Sequence, residues 1–164
     1  LNKMCDVCDG DLLSEDRDSF IYKTDRLNGE LKMVNLSTGM KSFVILRRLL
    51  QNGNIDENGI IILDEPEIHL HPEWQLKFAE IIVLIQKEFN TNILLNTHSP
   101  YFLNAIEVYS EKYAIEKKCN YYLANEEHGI TSIVDVTKET EKIYAKLAKP
   151  LQELENIEYG NAEV

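Results

Sequence analysis

Glycine is scarce in this chain, seven residues in 164, and none of the seven is followed by lysine. A Gly-rich phosphate-cradling loop of the form G-x-x-x-x-G-K-[S/T] therefore has no place in the sequence. Gly39-Met40-Lys41-Ser42 comes nearest, but it carries an extra residue between Gly and Lys and no glycine five positions before Gly39. Cysteine is sparser still. Cys5-Asp6-Val7-Cys8 is a single C-x-x-C with Cys119 far away, so a zinc site lacks its second ligand pair, and reduced, structural cysteines are expected. No apolar run approaches the roughly 18 residues that span a bilayer, which leaves no membrane segment. No secretory signal is visible either, and cytoplasm is the expected compartment. Basic residues are in deficit: 17 against 28 acidic ones give a net charge of −11, which argues against this surface wrapping a nucleic-acid backbone unaided. Lys41, Arg47 and Arg48 form only a small basic spot. With 44% hydrophobic residues in a length suited to one domain, a core can be built.

Three islands in what is present carry chemistry. Ile60 to Pro66 reads I-I-I-L-D-E-P. Four apolar β-formers suit a buried strand, but two adjacent ionised carboxylates at its end are costly unless something cationic uses them; Mg²⁺ is the candidate. Upstream, Asn35-Leu36-Ser37-Thr38-Gly39-Met40-Lys41-Ser42 puts a small hydroxyl and a glycine where a helix should begin, leaving backbone N–H groups to face an anion. Downstream, Ile93-Leu94-Leu95-Asn96-Thr97-His98-Ser99-Pro100 is a second apolar strand that ends on a histidine. Each has a plainer explanation when taken singly: a helix cap, a solvated turn, a histidine bonded to backbone. Their order, at spacings of 27 (37 to 64) and 34 (64 to 98), is what joins them.

These islands resemble the ABC-type ATPases, in the branch of AAA-family ATP-binding proteins that includes SMC, RecF-like and overcoming-lysogenisation-defect proteins rather than membrane transporters. L-S-T-G-M-K-S (36–42) matches the signature motif, I-I-I-L-D-E-P (60–66) Walker B with its catalytic glutamate, E-I-H-L-H-P (67–72) the following D-loop region, and N-T-H-S-P (96–100) the switch histidine. The resemblance implies an α/β fold, the C-terminal part of a P-loop NTPase with parallel strands flanked by helices, plus a hairpin. It also implies ATP and Mg²⁺ as cofactors. Asp64 would hold the metal through water, and Glu65 would orient and deprotonate the attacking water. His98 would contact the γ-phosphate. Ser37 and the N–H of Gly39, with Lys41 adding charge, would reach ATP held by a second protomer, so the site forms only in a sandwiched dimer. DNA repair or anti-phage defence is the implied setting, with any DNA contact through other regions.

Since the phosphate-cradling loop is missing and the chain opens on Leu1 without methionine, residues 1–164 are expected to be the C-terminal lobe of a longer ATPase domain. Its parts would be an irregular opening and hairpin over 1–35, the signature, Walker B and switch-histidine region over 36–110, and a hairpin and C-terminal helix over 111–164. The Walker A half is expected from the absent N-terminal portion, and the lobe alone is not expected to hydrolyse ATP. Without that half, strand edges and apolar faces should be left to associate with something.

The patterning predicts a hairpin of Ser19–Asp25 and Glu30–Asn35 about Asn28-Gly29. A helix follows from about Gly39 to Gln51, with Phe43, Leu46 and Leu50 on one stripe and Arg47 largely off it. A strand at Gly59–Leu63 and a long helix from Pro72 to about Phe89 come next, then a parallel strand at Asn92–Asn96 and a helix from Pro100 to about Val108. A second hairpin, Asn120–Ala124 with Thr131–Val136, leads to a last helix capped by Thr137 and bent or split at Pro150.

Two other functions fit parts of this pattern. His69-Leu70-His71 with Glu67, Asp64 and His98 could ligate zinc or a di-metal centre, making a metal-dependent hydrolase. Alternatively, the lobe could be a non-hydrolysing, nucleotide-responsive interaction module, although an intact Glu65 and His98 weigh against that.

Overall fold

The computed structural model describes residues 10–16, 19–25 and 29–160; Cys5, Cys8 and Asn28 lie outside them. The described chain opens on a strand where an irregular acidic segment was expected. β1 (Asp11–Asp16) pairs antiparallel with β2 (Ser19–Lys23), which pairs with β3 (Glu30–Lys32). Leu12 of β1 is buried opposite Tyr22, and one inward apolar residue among acids is too faint an alternation to announce a strand. The second arm of the expected hairpin stops at Lys32, because Met33–Asn35 curls into a 3₁₀ turn.

Helix α1 (Thr38–Gln51) buries Phe43 and Leu46, with Leu50 packed beside them. Arg47, expected off this stripe, is buried too. Its guanidinium donates to Gly10 O at 2.7 Å and to Asp11 Oδ1 at 2.9 Å, docking the helix on β1. Strands β4 (Ile60–Asp64) and β5 (Asn92–Asn96) run parallel, and α2 (Pro72–Phe89) crosses between them. Pro72 opens α2, and Asn90, left-handed at φ +50°, closes it as a C-terminal stop. The register runs from Ile60↔Asn92 to Asp64↔Asn96, so the two strands end level.

Aromatic side chains join the helices into one core. Phe43 meets Trp74 and Phe78 edge-on, with ring centres 5.5 and 4.9 Å apart, and Phe78 lies 6.4 Å from Phe102 of α3 (Pro100–Lys112). α3 runs a turn past Val108 because Lys112 Nζ and the Tyr113 hydroxyl both bond Glu80 of α2. Ile61, Leu63, Ile93 and Leu95 turn the inner face of β4–β5 onto this core, whereas Ile60, Ile62 and Leu94 on the outer face are 76%, 69% and 63% exposed. Parallel strands seldom keep one face bare.

The second hairpin, β6 (Tyr122–Glu127) and β7 (Ile130–Asp135), is longer and tighter than expected. His128 and Gly129, at φ +54° and +76°, close it as a two-residue turn. Thr137 does not cap a helix, since its hydroxyl accepts from Tyr121 N–H (2.9 Å) and its own N–H donates to Asp135 Oδ1 (2.9 Å). The last helix, α4 (Glu141–Gly160), continues through Pro150 on its exposed side, where solvent can satisfy the carbonyl that the proline leaves unbonded. Among the described residues no helix is long and apolar enough to cross a membrane.

Candidate functional site

The level ends of β4 and β5 set the geometry. Directly after Asp64 the chain turns, and Glu65 takes φ +42°, a left-handed conformation that costs a non-glycine residue about 1–2 kcal/mol. The neighbouring strand holds it there: Glu65 N–H donates to Asn96 Oδ1 at 2.8 Å and to Asn96 O at 3.3 Å. In that pose Glu65 Oε1 lies 3.2 Å from His98 Nε2, so a carboxylate and an imidazole share the strand tips. The Asp64 carboxylate beside them is exposed and makes no hydrogen bond or ion pair among the described residues, its backbone being paired with Asn96 in the sheet. A free carboxylate at such a place fits a hydrated Mg²⁺, which keeps most of its water and takes one or two carboxylates.

Ser37, Gly39 and Lys41 sit at the start of α1. Ser37 Oγ accepts from Met40 N–H at 3.3 Å, a helix cap. Gly39 is buried, and a Cβ there would stand 2.8 Å from both His69 O and Leu70 Cδ2, so the glycine lets the helix start abut the loop that follows Glu65. Lys41 Nζ donates to Val34 O at 3.1 Å. The structure thus joins Glu65 with His98 and sets Asp64 at the same tips. No hydrogen bond or ion pair links Ser37, Gly39 or Lys41 to those three among the described residues.

The rival metal set is not assembled. His71 starts α2 with its carbonyl, which accepts from Trp74 N–H (2.8 Å) and Gln75 N–H (3.0 Å). Glu67 is buried and accepts the Thr97 hydroxyl. Among the described residues no three His, Cys, Asp or Glu side chains converge to hold a metal ion. The sequence reading gave no role to Asn96 or Thr97 and considered Glu67 only as a metal ligand. They stood inside the quoted motifs, yet their partners come from another segment.

Comparison with known proteins identifies the family and the fold. A family described as "AAA domain, putative AbiEii toxin, Type IV TA system" matches residues 8–104. The Septu protein PtuA of Bacillus thuringiensis is 32% identical over 103 residues, which is 56% of this chain and 26% of that protein. The Retron Ec83 probable ATPase of Escherichia coli is 37% identical over 94 residues, 51% of this chain and 17% of that protein. The chain thus spans about a quarter or less of the length of these relatives. Among solved structures, an SMC ATPase described for ATP-driven dimerization and DNA-stimulated activation superposes with a TM-score of 0.58 at 13% identity, covering 84% of this chain and 80% of that one.

Proposed function

The chain belongs to this AAA-domain family and has the fold of ABC- and SMC-like ATPase heads, and we propose that its strand tips form part of a composite ATP-hydrolysing site. The observation that carries the reading is the Glu65–His98 pair, 3.2 Å apart at the level ends of two parallel strands, where open α/β sheets place ligands. Asp64 would hold Mg²⁺, and the ion would supply charge neutralisation for the phosphates. Glu65 orients the attacking water and takes its proton. His98 contacts the γ-phosphate and, through its contact with Glu65, fixes the base relative to it. Catalysis of this kind is positioning plus electrostatics.

Two further parts complete the site. The G-K-[S/T] loop comes from the rest of a longer protein, and the segment that brings it covers the bare face of β4–β5. The Ser37 hydroxyl and the Gly39 N–H, with the charge of Lys41, meet the γ-phosphate of nucleotide bound by a second protomer. The ATP-driven dimerization described for the SMC neighbour supports such a sandwich. With a net charge of −11, DNA contact falls to other regions. DNA repair or anti-phage defence is the setting in which we place the assembly.

Glu65→Gln in the full-length protein tests this reading. The variant should bind ATP, self-associate more tightly in sizing experiments and turn over roughly 10²–10³-fold more slowly. Unchanged turnover and unchanged self-association would leave a nucleotide-responsive interaction module in its place.

A further inference from the structure

His98 has an exposed side chain, 84% accessible and 3.2 Å from Glu65 Oε1, yet both of its chain neighbours are anchored inward. On one side the Thr97 hydroxyl donates to Glu67 Oε1 and accepts from Ser99 N–H at 3.0 Å. On the other, the Ser99 hydroxyl donates to Gln75 Oε1 at 2.6 Å and accepts from Phe102 N–H at 3.2 Å, while Gln75 Nε2 donates to Leu70 O at 3.1 Å. The direction of the amide is fixed, since the Leu70 carbonyl can only accept. Two struts therefore run from residues 97–99 to the loop that follows Glu65. That same loop, at His69 and Leu70, is the one Gly39 abuts.

Glu67 is an odd residue to keep for stability. It is 3% exposed, and its Oε2 has no hydrogen-bond partner among the described residues. A half-satisfied carboxylate so deeply buried opposes folding, so packing alone does not account for it; the bond that Oε1 accepts from the Thr97 hydroxyl does.

We propose that Glu67 and Gln75 are positioning residues of the ATPase: a two-point mount that holds the switch histidine through Thr97 and Ser99 and makes it move as one body with the Glu65 loop and the start of α1. The inference rests on the hydrolytic role given above to Glu65 and His98.

The test uses the full-length protein carrying Gln75→Met or Glu67→Met, which remove the bonds and keep an unbranched side chain, each with and without His98→Ala. Because small misplacements of reacting groups are costly, kcat should fall roughly 10- to 100-fold with ATP binding intact. Since the mount acts through His98, the same changes in the His98→Ala background should cost no more than about twofold. Glu67→Gln, which keeps an acceptor for Thr97, should recover most of the loss. Amide exchange across Thr97–Ser99, which needs no turnover, should quicken in both Met variants. An equal kcat loss in both backgrounds, or exchange at 97–99 as slow as in the parent protein, overturns the mount. A parent protein without turnover would sink the ATPase reading, and amide exchange would still decide whether the mount exists.

Discussion

Glu65 keeps φ +42° because Asn96 presents two acceptors to its N–H, one from the backbone and one from the side chain. The side-chain bond is exposed and worth about 0.5–1.5 kcal/mol. Asn96→Ala should therefore free the Glu65 backbone and lower kcat roughly 2- to 10-fold, while Asn96→Asp, which keeps the acceptor, should stay near the parent rate. Steady-state kinetics on the pair decides it, and equal rates for Ala and Asp would remove Asn96 from the mechanism. Asp64, Glu65 and His98 were legible because each ends an apolar run with a charge or imidazole that burial does not explain. Asn96 ends one too. But an asparagine there also reads as a turn residue, and its role depends on the register Asp64↔Asn96, which neither segment encodes alone. Gln75, and for Glu67 the contact with Thr97 rather than with a metal, were hidden for the same reason: their partners are 24 and 30 residues away.

Helix α1 gives the start of one element two separate duties. Ser37 caps it, at 3.3 Å to Met40 N–H, and is assigned the phosphate of a neighbouring protomer. The duties separate by substitution. Ser37→Ala loses the cap and should cost about 0.5–1 kcal/mol in denaturant unfolding. Ser37→Asp keeps a capping oxygen and the stability, but puts a carboxylate where a phosphate should dock, so ATP-driven self-association should fail. Normal association of Ser37→Asp with ATP would reduce Ser37 to a cap. Elements with strong local signals were readable in advance: Pro72 and an apolar line delimit α2, and an apolar run between two asparagines delimits β5. β1, the end of α3 and the start of α4 depend instead on contacts made after folding. These are Leu12 against Tyr22, Lys112 and Tyr113 on Glu80, and Thr137 on Tyr121 and Asp135. No periodicity in the segment itself carries that information.

In the molecule as a whole, the feature least consistent with an isolated lobe is the outer face of β4–β5. Ile60, Ile62 and Leu94 stand exposed on parallel strands, which ordinarily have both faces covered, and contiguous apolar surface of this kind marks an interface. The sequence foretold an unpaired face from a missing phosphate loop, but which residues form it follows only from the pleat and the register. If the segment that brings the phosphate loop covers this face, substitutions there must act oppositely in the two contexts. Ile62→Lys with Leu94→Lys in residues 1–164 alone should reduce self-association without lowering the melting temperature, since neither side chain touches the core. The same pair in the full-length protein should bury two unpaired ammonium groups, a cost of several kcal/mol, and should abolish folding or turnover. Thermal melts and light scattering on both lengths read this out directly. A full-length double variant that melts and hydrolyses ATP like its parent would show that the face stays in solvent, and that the phosphate loop must reach Asp64 and Glu65 from elsewhere.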